Sequence, residues 1–165
     1  MPEVVKSALL HVPAGDIFAI LEQAERNIEW VPRMAYSERV TPGPTAVGTR
    51  FRFGLEFMGM VADSVDEVVD FEPNRLIRSR AVDGVDHTAS WQLEPVGDDG
   101  AVTLVTYRMD FELPPVLGKL ASRLFNLESL FEEQAEGCLE NLRLILEEGE
   151  PAAPASESSH RTADF

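Results

Sequence analysis

The sequence contains little of what disulfides, membrane spans and nucleic-acid interfaces require. Cys138 is the only cysteine among 165 residues, which excludes an intrachain disulfide and a cysteine-based metal site. No apolar run approaches the ~20 residues of a membrane-spanning helix. Cations are also scarce, because 14 Lys and Arg against 29 Asp and Glu give a formal net charge of −15. We therefore expect no binding to nucleic acid, which needs clustered cations.

The motifs of common catalytic centres are missing as well. The chain has no G-x-S-x-G turn, no phosphate-binding glycine loop and no H-E-x-x-H. Its histidines, His11, His87 and His160, are too scattered to predict a metal site. We expect neither a metal nor another cofactor. The first residues, MPEVVKSALLHV, lack the basic region and cleavage site of a signal peptide, so we expect a cytoplasmic protein.

Strand patterns dominate the chain as far as residue 112. Residues 3–12 predict a first strand. The helical spacing of Ile17, Ile20, Leu21 and Ala24 predicts a helix after it, and Pro32 ends a second short helix near Trp30. Six further strands are predicted between turn residues, at 34–41, 48–57, 60–71, 75–82, 87–95 and 101–112. Because no connection among these six is long enough for a crossover helix, we expect an antiparallel meander.

A single long helix is predicted after the strands. The segment from Pro114 to Gly149 carries apolar residues at spacings of three, four or seven. Such a helix would reach roughly 50 Å, whereas a compact domain of this length is about 40 Å across. Only the sheet is large enough to cover its apolar stripe, so we predict one α+β domain over residues 1–149. Residues 150–165, rich in Pro, Ala and Ser without periodicity, predict a disordered tail.

The strand RFRFGLEF at residues 50–57 predicts a wide apolar surface inside this domain. Its alternation places four large apolar side chains on one face, namely Phe51, Phe53, Leu55 and Phe57. A strongly curved sheet contacts a straight helix along only part of its length and leaves a hollow elsewhere. We expect this row of side chains to face that hollow.

The order of these pieces resembles the START-like, or SRPBCC, superfamily, which includes Bet v 1-like and polyketide cyclase/dehydrase-like proteins. The resemblance covers about residues 3 to 148, and its carrying segments are SALLHVPAGDIFAIL at 7–21, EWVPRM at 29–34, VGTRFRF at 47–53, VVDFEPNRLIRSR at 68–80 and HTASWQLEPVGDDGAVTLVTYRMDF at 87–111. It implies a helix-grip fold, with a curved seven-stranded antiparallel sheet around a long C-terminal helix, two short helices after the first strand and an apolar cavity. This fold hosts lipid and sterol carriers, quinone-binding proteins, hormone receptors and polyketide aromatase/cyclases, so it does not by itself define a function.

The leading hypothesis is a protein that encloses a small hydrophobic ligand between sheet and helix. A lipid, an isoprenoid quinone or a polyketide-like aromatic are the candidate classes, and the sequence leaves the ligand's identity and the oligomeric state open. The candidate ligand-binding residues are Phe53, Leu55, Phe57, Trp91, Tyr107, Met109, Leu124 and Phe131.

An enzyme of the cyclase/dehydratase type is the alternative, and a protein-interaction module with a solid interior is a third. In the enzyme, proton transfer would fall to one or two of Arg78, His87, Tyr107 and Glu128. Catalysis needs paired polar groups at inward positions, and those positions are mostly apolar in this sequence. The pattern therefore favours binding.

The orientation of three charged side chains bears on that alternative. Arg78 and Arg80 share one face of a predicted strand. Alternation does not decide whether that face points to the cavity or to solvent. We favour the solvated face, because a buried arginine needs a partner. Glu128 interrupts the apolar stripe of the helix. We favour a rim position for it, with Leu127 taking the inner place.

Overall fold

Seven antiparallel strands form one sheet in the spatial order β1-β7-β6-β5-β4-β3-β2. The structure is a computed structural model that describes residues 3–57, 59–112 and 121–149, and for residues 57 and 121–126 it describes the backbone only. The strands are β1 (Glu3–Leu10), β2 (Met34–Arg39), β3 (Arg50–Phe57), β4 (Met60–Glu72), β5 (Leu76–Asp83), β6 (Asp86–Val96) and β7 (Val102–Glu112).

The six strands after β1 pair in chain order, which confirms the predicted meander. β1 forms the edge of the sheet opposite β2 and pairs with β7, with Val4 opposite Met109 and Leu10 opposite Thr103. Two short helices connect β1 to β2, as predicted. The first is the α-helix α1 (Ala14–Leu21), and the second is a 3-10 helix (Ala24–Glu29).

The long helix α2 (Ala121–Glu148) lies on the concave face of this sheet. Its 28 residues span about 42 Å, enough to cross the domain. Cys138, Leu139 and Leu142 are buried in the main core cluster, together with Leu10 of β1 and Val105 of β7. The curved sheet and long C-terminal helix confirm the helix-grip α+β fold. The predicted start of the helix near Pro114 and the predicted tail lie outside the described residues.

A β-bulge in β4 decides which of its side chains face the helix. The register with β5 shifts between Val68 and Asp70, so that one extra residue is inserted at that point. Before the bulge, Ser64, Asp66 and Val68 are buried on the concave face. After it, Asp70 points to the convex face, opposite Arg78 of β5. The bulge therefore separates two acidic residues that a regular strand would place on one side.

Candidate ligand-binding site

A cavity of about 450 Å³ lies between the concave face of the sheet and α2. Apolar and aromatic side chains make up most of its wall. The helix contributes Leu127, Leu130, Phe131, Ala135 and Cys138, and β3 contributes the predicted row through Phe51, Phe53 and Leu55. The interior is thus not filled solidly, and the row of apolar side chains on β3 borders the cavity.

The structure brings most of the predicted ligand-binding residues to this wall. Six of them border the cavity: Phe53, Leu55, Trp91, Tyr107, Met109 and Phe131. The side chains of Phe57 and Leu124 lie outside the described part of the structure. Their position shows that they border the cavity. That they bind a ligand stays a prediction.

Three aromatic rings form one continuous section of the wall. The rings of Trp30 and Trp91 meet edge to face with their centroids 5.4 Å apart. Trp91 also packs against Tyr107, at 4.6 Å between centroids. Burial raises the pKa of the Tyr107 phenol far above its usual value, so its hydroxyl stays protonated and able to donate a hydrogen bond.

Helix α2 fixes the segment that carries Trp30. The side-chain amide of Asn141 donates to the Trp30 carbonyl oxygen at 2.9 Å, and that of Gln134 donates to the Pro32 carbonyl oxygen at 3.2 Å. Between them on the same helix face, Gly137 lies so close that a Cβ atom would come within 2.8 Å of the Pro32 ring. The spacing of three and four residues thus clamps the chain from Trp30 to Pro32 against the helix.

The polar part of the wall is a buried cluster on β4 and β6. Asp66 and His87 side chains are only 4% and 7% exposed, and their Oδ2 and Nε2 atoms are 2.8 Å apart. Ser64 Oγ is 3.0 Å from the other carboxylate oxygen, Oδ1 of Asp66. Ala81 of β5 lies directly opposite Asp66, and its short side chain leaves room for the pair to meet across the intervening strand.

The hydrogen bonds of His87 define where its protons lie. Its Nδ1 atom is 2.7 Å from the carbonyl oxygen of Val85, which can only accept, so Nδ1 carries a proton. Burial opposes charge on the imidazole, but the hydrogen bond and the negative charge of Asp66 outweigh it and raise the His87 pKa above its ordinary value. The raised pKa extends the pH range over which the imidazole carries both protons and can donate to Asp66 and to Val85.

A tight turn between β5 and β6 brings this cluster together. Gly84 has a φ of +99°, and a Cβ atom there would lie 2.8 Å from the Asp63 carbonyl oxygen of β4. Glycine allows both the left-handed backbone and the close approach. The turn consequently sits against β4, where the Asp83 carbonyl oxygen offers Ser64 Oγ a second acceptor at 3.1 Å.

The other charged candidates lie outside the cavity wall. Arg78 is exposed on the convex face, where Nη1 pairs with Asp70 at 2.5 Å, and Arg80 is exposed there as well. Leu127 borders the cavity, whereas Glu128 is half-buried and does not border it. The arginines thus take the solvated face that we favoured, and Glu128 takes the rim. Of the four candidates for proton transfer, only His87 and Tyr107 border the cavity.

The sequence argument missed the inward polar groups of β4 and β5. Ser64, Asp66 and Ser79 are buried on the concave face, although inward positions were expected to be mostly apolar. Asp66 is the important omission, because it holds His87. The alternation of Ser64, Asp66 and Val68 could have indicated that Asp66 points inward. However, the bulge after Val68 ends that alternation before it is long enough to show which face of β4 lies inside.

The described residues show no other kind of site. Among them, no helix is long and apolar enough to cross a membrane. Within the same part of the chain, no group of three or more His, Cys, Asp or Glu side chains is placed to hold a metal ion.

Comparison with known proteins agrees with this architecture. The family model described as "Polyketide cyclase / dehydrase and lipid transport" matches residues 1–147. The chain belongs to this family. No curated protein matches the sequence significantly.

Solved structures of several other proteins share this fold. A Thermus thermophilus protein, TTHA0849, is 21% identical with a TM-score of 0.72, covering 86% of this chain and 94% of its own. The Zhui aromatase/cyclase of Streptomyces sp. R1128 is 14% identical with a TM-score of 0.61, covering 87% and 94%. A START superfamily protein of Mycobacterium smegmatis is 20% identical with a TM-score of 0.57, covering 81% and 97%. At these identities the likeness shows the fold alone; the family match over residues 1–147 is what confirms the predicted polyketide cyclase/dehydrase-like relationship.

Proposed function

We propose that this protein binds a small hydrophobic ligand in the cavity between the curved sheet and α2. The observation that carries the proposal is a space of about 450 Å³ between sheet and helix with a mainly apolar wall. A space of this size falls within the range of small-molecule sites, and apolar walls give up water readily to an apolar ligand. The family description, which names both polyketide processing and lipid transport, supports the same ligand class.

A cavity-filling substitution tests this proposal. Ala89 of β6 borders the cavity, whereas its neighbour Thr88 points to the opposite face of the same strand. We expect wild-type protein to bind N-phenyl-1-naphthylamine with a rise in dye fluorescence. Ala89→Phe should weaken that binding at least tenfold, while the matched control Thr88→Phe leaves it within about twofold.

Two results would contradict the proposal. One is a wild-type protein that neither binds the dye nor exchanges it for any lipid or quinone. The other is equal loss of binding in Ala89→Phe and Thr88→Phe when both remain folded by circular dichroism, because the dye would then lie elsewhere.

A second candidate, a polyketide cyclase/dehydratase-type enzyme, is favoured by one observation. The Asp66–His87 pair places a potential proton donor and acceptor in the wall of an apolar cavity. However, both ring nitrogens of His87 already contact protein oxygens, so the imidazole would have to leave Val85 before it reached a substrate. That arrangement favours binding.

Asp66→Asn separates the two candidates because it keeps the shape of the wall. A binding protein should retain its affinity for the dye in this variant. An enzyme should lose turnover of a poly-β-ketone substrate by orders of magnitude, with its ligand affinity unchanged.

A further inference from the structure

One hydrogen-bond donor in the cavity wall has been left without a partner. Trp30 is 3% exposed and borders the cavity, and among the described residues its Nε1 atom has no acceptor. A buried indole N–H ordinarily finds a partner, because burial without one forfeits the hydrogen bond it makes with water. Among the described residues the donor is therefore free to meet an acceptor on a bound ligand.

The surroundings of Trp30 prevent the ring from turning away to solvent. Its carbonyl oxygen is held by Asn141 of α2, and its ring packs against Trp91 of β6. Gly137 brings the helix into contact with Pro32, two residues further on. The donor is thus fixed in place before any ligand arrives, which lowers the entropy lost on binding.

A second unpaired polar atom lies on the same turn of chain. Asn27 borders the cavity, and its Oδ1 atom is buried without a hydrogen-bond partner among the described residues. The backbone N–H of Trp30 donates to the Asn27 carbonyl oxygen at 3.2 Å, so the two side chains start from one tight turn. The indole N–H can donate to a ligand oxygen, and Asn27 Oδ1, which can only accept, can receive the proton of a ligand hydroxyl.

The charges around the cavity decide which oxygen function fits. Asp66 pairs with His87, and the exposed Glu56 and Asp63 lie on the outward face of their strands. Among the described residues that border the space, this leaves Glu22 and Arg33, whose charges are opposite. Burying an anionic head group against this mainly apolar wall would cost the hydration of its charge. A carbonyl or hydroxyl oxygen carries no such penalty.

We infer that Trp30 donates a hydrogen bond from Nε1 to an uncharged carbonyl or hydroxyl oxygen of the apolar ligand, beside the side-chain amide of Asn27. The inference rests on the proposed function and sharpens it. It defines the ligand as a neutral, mainly hydrocarbon molecule with an oxygen function, rather than a fatty acid anion or a pure hydrocarbon.

Fluorenone and fluorene, a ketone and a hydrocarbon of one skeleton, test the inference. Their dissociation constants are measured by dye displacement on wild-type protein and on Trp30→Phe, which keeps an aromatic ring but removes the donor. The smaller ring of phenylalanine changes the dissociation constants of both ligands. The ratio of the change for fluorenone to the change for fluorene therefore reports the hydrogen bond. We expect Trp30→Phe to weaken fluorenone binding about threefold to tenfold more than fluorene binding.

A measurement on the unsubstituted protein guards against a variant that fails to fold. The chain has two tryptophans, so a ¹H–¹⁵N spectrum holds two indole signals, and Trp91→Phe assigns them. Fluorenone should move the Trp30 indole proton downfield, whereas fluorene should not. The same shift with both ligands would overturn the inference.

The outcomes separate this inference from the function on which it rests. If both ligands bind and Trp30→Phe weakens them equally, the oxygen is not held by Trp30, but the cavity still binds apolar molecules. If the ketone preference survives in Trp30→Phe and disappears in Tyr107→Phe, the donor is Tyr107 and the inference is wrong. If neither ligand displaces the dye from wild-type protein, the proposed function fails as well.

Discussion

Asp66 and Asp70 lie on the same strand, β4, and each carboxylate pairs with a cationic side chain, yet the two pairs occupy opposite faces of the sheet. The Asp66–His87 pair is 4% and 7% exposed and borders the cavity. The Asp70–Arg78 pair is 47% and 44% exposed on the convex face. One pair is thus buried in the protein and the other is hydrated. Because burial changes what an ion pair contributes, the number of ion pairs says little about stability.

The stability of the fold depends on the inner pair, which also borders the cavity. Taking both charges out of water is costly, and their attraction and hydrogen bonds have to offset that cost. Removing one partner would leave the other buried and uncompensated. Water hydrates the outer pair whether or not it is formed, so breaking it changes little.

Asp66→Ala should have the largest effect of the changes considered. It removes the acceptor of both His87 and Ser64, and we expect a loss of about 3–5 kcal/mol in the free energy of unfolding, as for other buried pairs that lose one partner. Urea denaturation measures it. A loss below about 1 kcal/mol would show that the pair is hydrated in solution and would remove the contrast between the two faces.

Ser64→Ala should cost less, because it removes one hydrogen bond to the Asp66 carboxylate and leaves the ion pair. We expect about 1.5–3 kcal/mol, the range for a hydrogen bond to a charged group. Ser90→Ala on the convex face of β6 is the matched control and should stay within about 0.5 kcal/mol. Equal costs at both positions would mean that Ser64 contributes only ordinary packing.

The contribution of His87 to the pH dependence of stability should change sign between wild type and Asp66→Asn. In wild type the His87 pKa is raised above 6.5, so the pair's contribution is fully present below pH 6.5 and decreases as the pH rises through the raised value. In Asp66→Asn the asparagine amide can donate to a neutral His87, and burial then penalises protonation. That contribution should decrease as the pH falls below 6.5.

The quantity to measure is the difference in unfolding free energy between the two proteins from about pH 5.5 to about pH 9, a range that brackets the titration of a histidine with a raised pKa. It should favour wild type most at the acidic end and shrink steadily toward the alkaline end, because the other titratable groups cancel. A difference that is flat over this range would mean that His87 is not charged in the folded protein.

Asp70→Asn should have the smallest effect. An exposed ion pair contributes about 0.2–1 kcal/mol, and salt screens it further, so we expect a change in that range which falls as NaCl is raised. A cost as large as that of Asp66→Ala would contradict the comparison of the two faces.

Much of the fold could be predicted from the sequence, because its signals are local. Alternation across residues 50–57 and the turn at Asp83-Gly84 identify strands and their connections, and Pro32 marks the end of the short helices. Short connections then leave the meander as the simplest pairing of six strands. The long apolar stripe of the last segment required a partner as long as itself, and only the sheet provides one.

The polar part of the site could not be predicted, because it depends on registers that no short pattern contains. Asp66 and His87 meet only because Ala81 is small and the β5–β6 turn folds against β4. The bulge after Val68 sends Asp70 outward, although the spacing from Asp66 places both on one face of a regular strand. Trp30 is packed in the core, but that its indole nitrogen has no partner among the described residues depends on the position of α2.

Native mass spectrometry of protein purified from its own host, followed by denaturing extraction, tests the central claim most directly. The account predicts a stoichiometric apolar molecule that dissociates from the folded protein and carries an uncharged oxygen function. An apo mass that persists after exposure to lipid and quinone mixtures would contradict it. The cavity would then have to be explained as a transiently occupied enzyme site or as a surface for another protein.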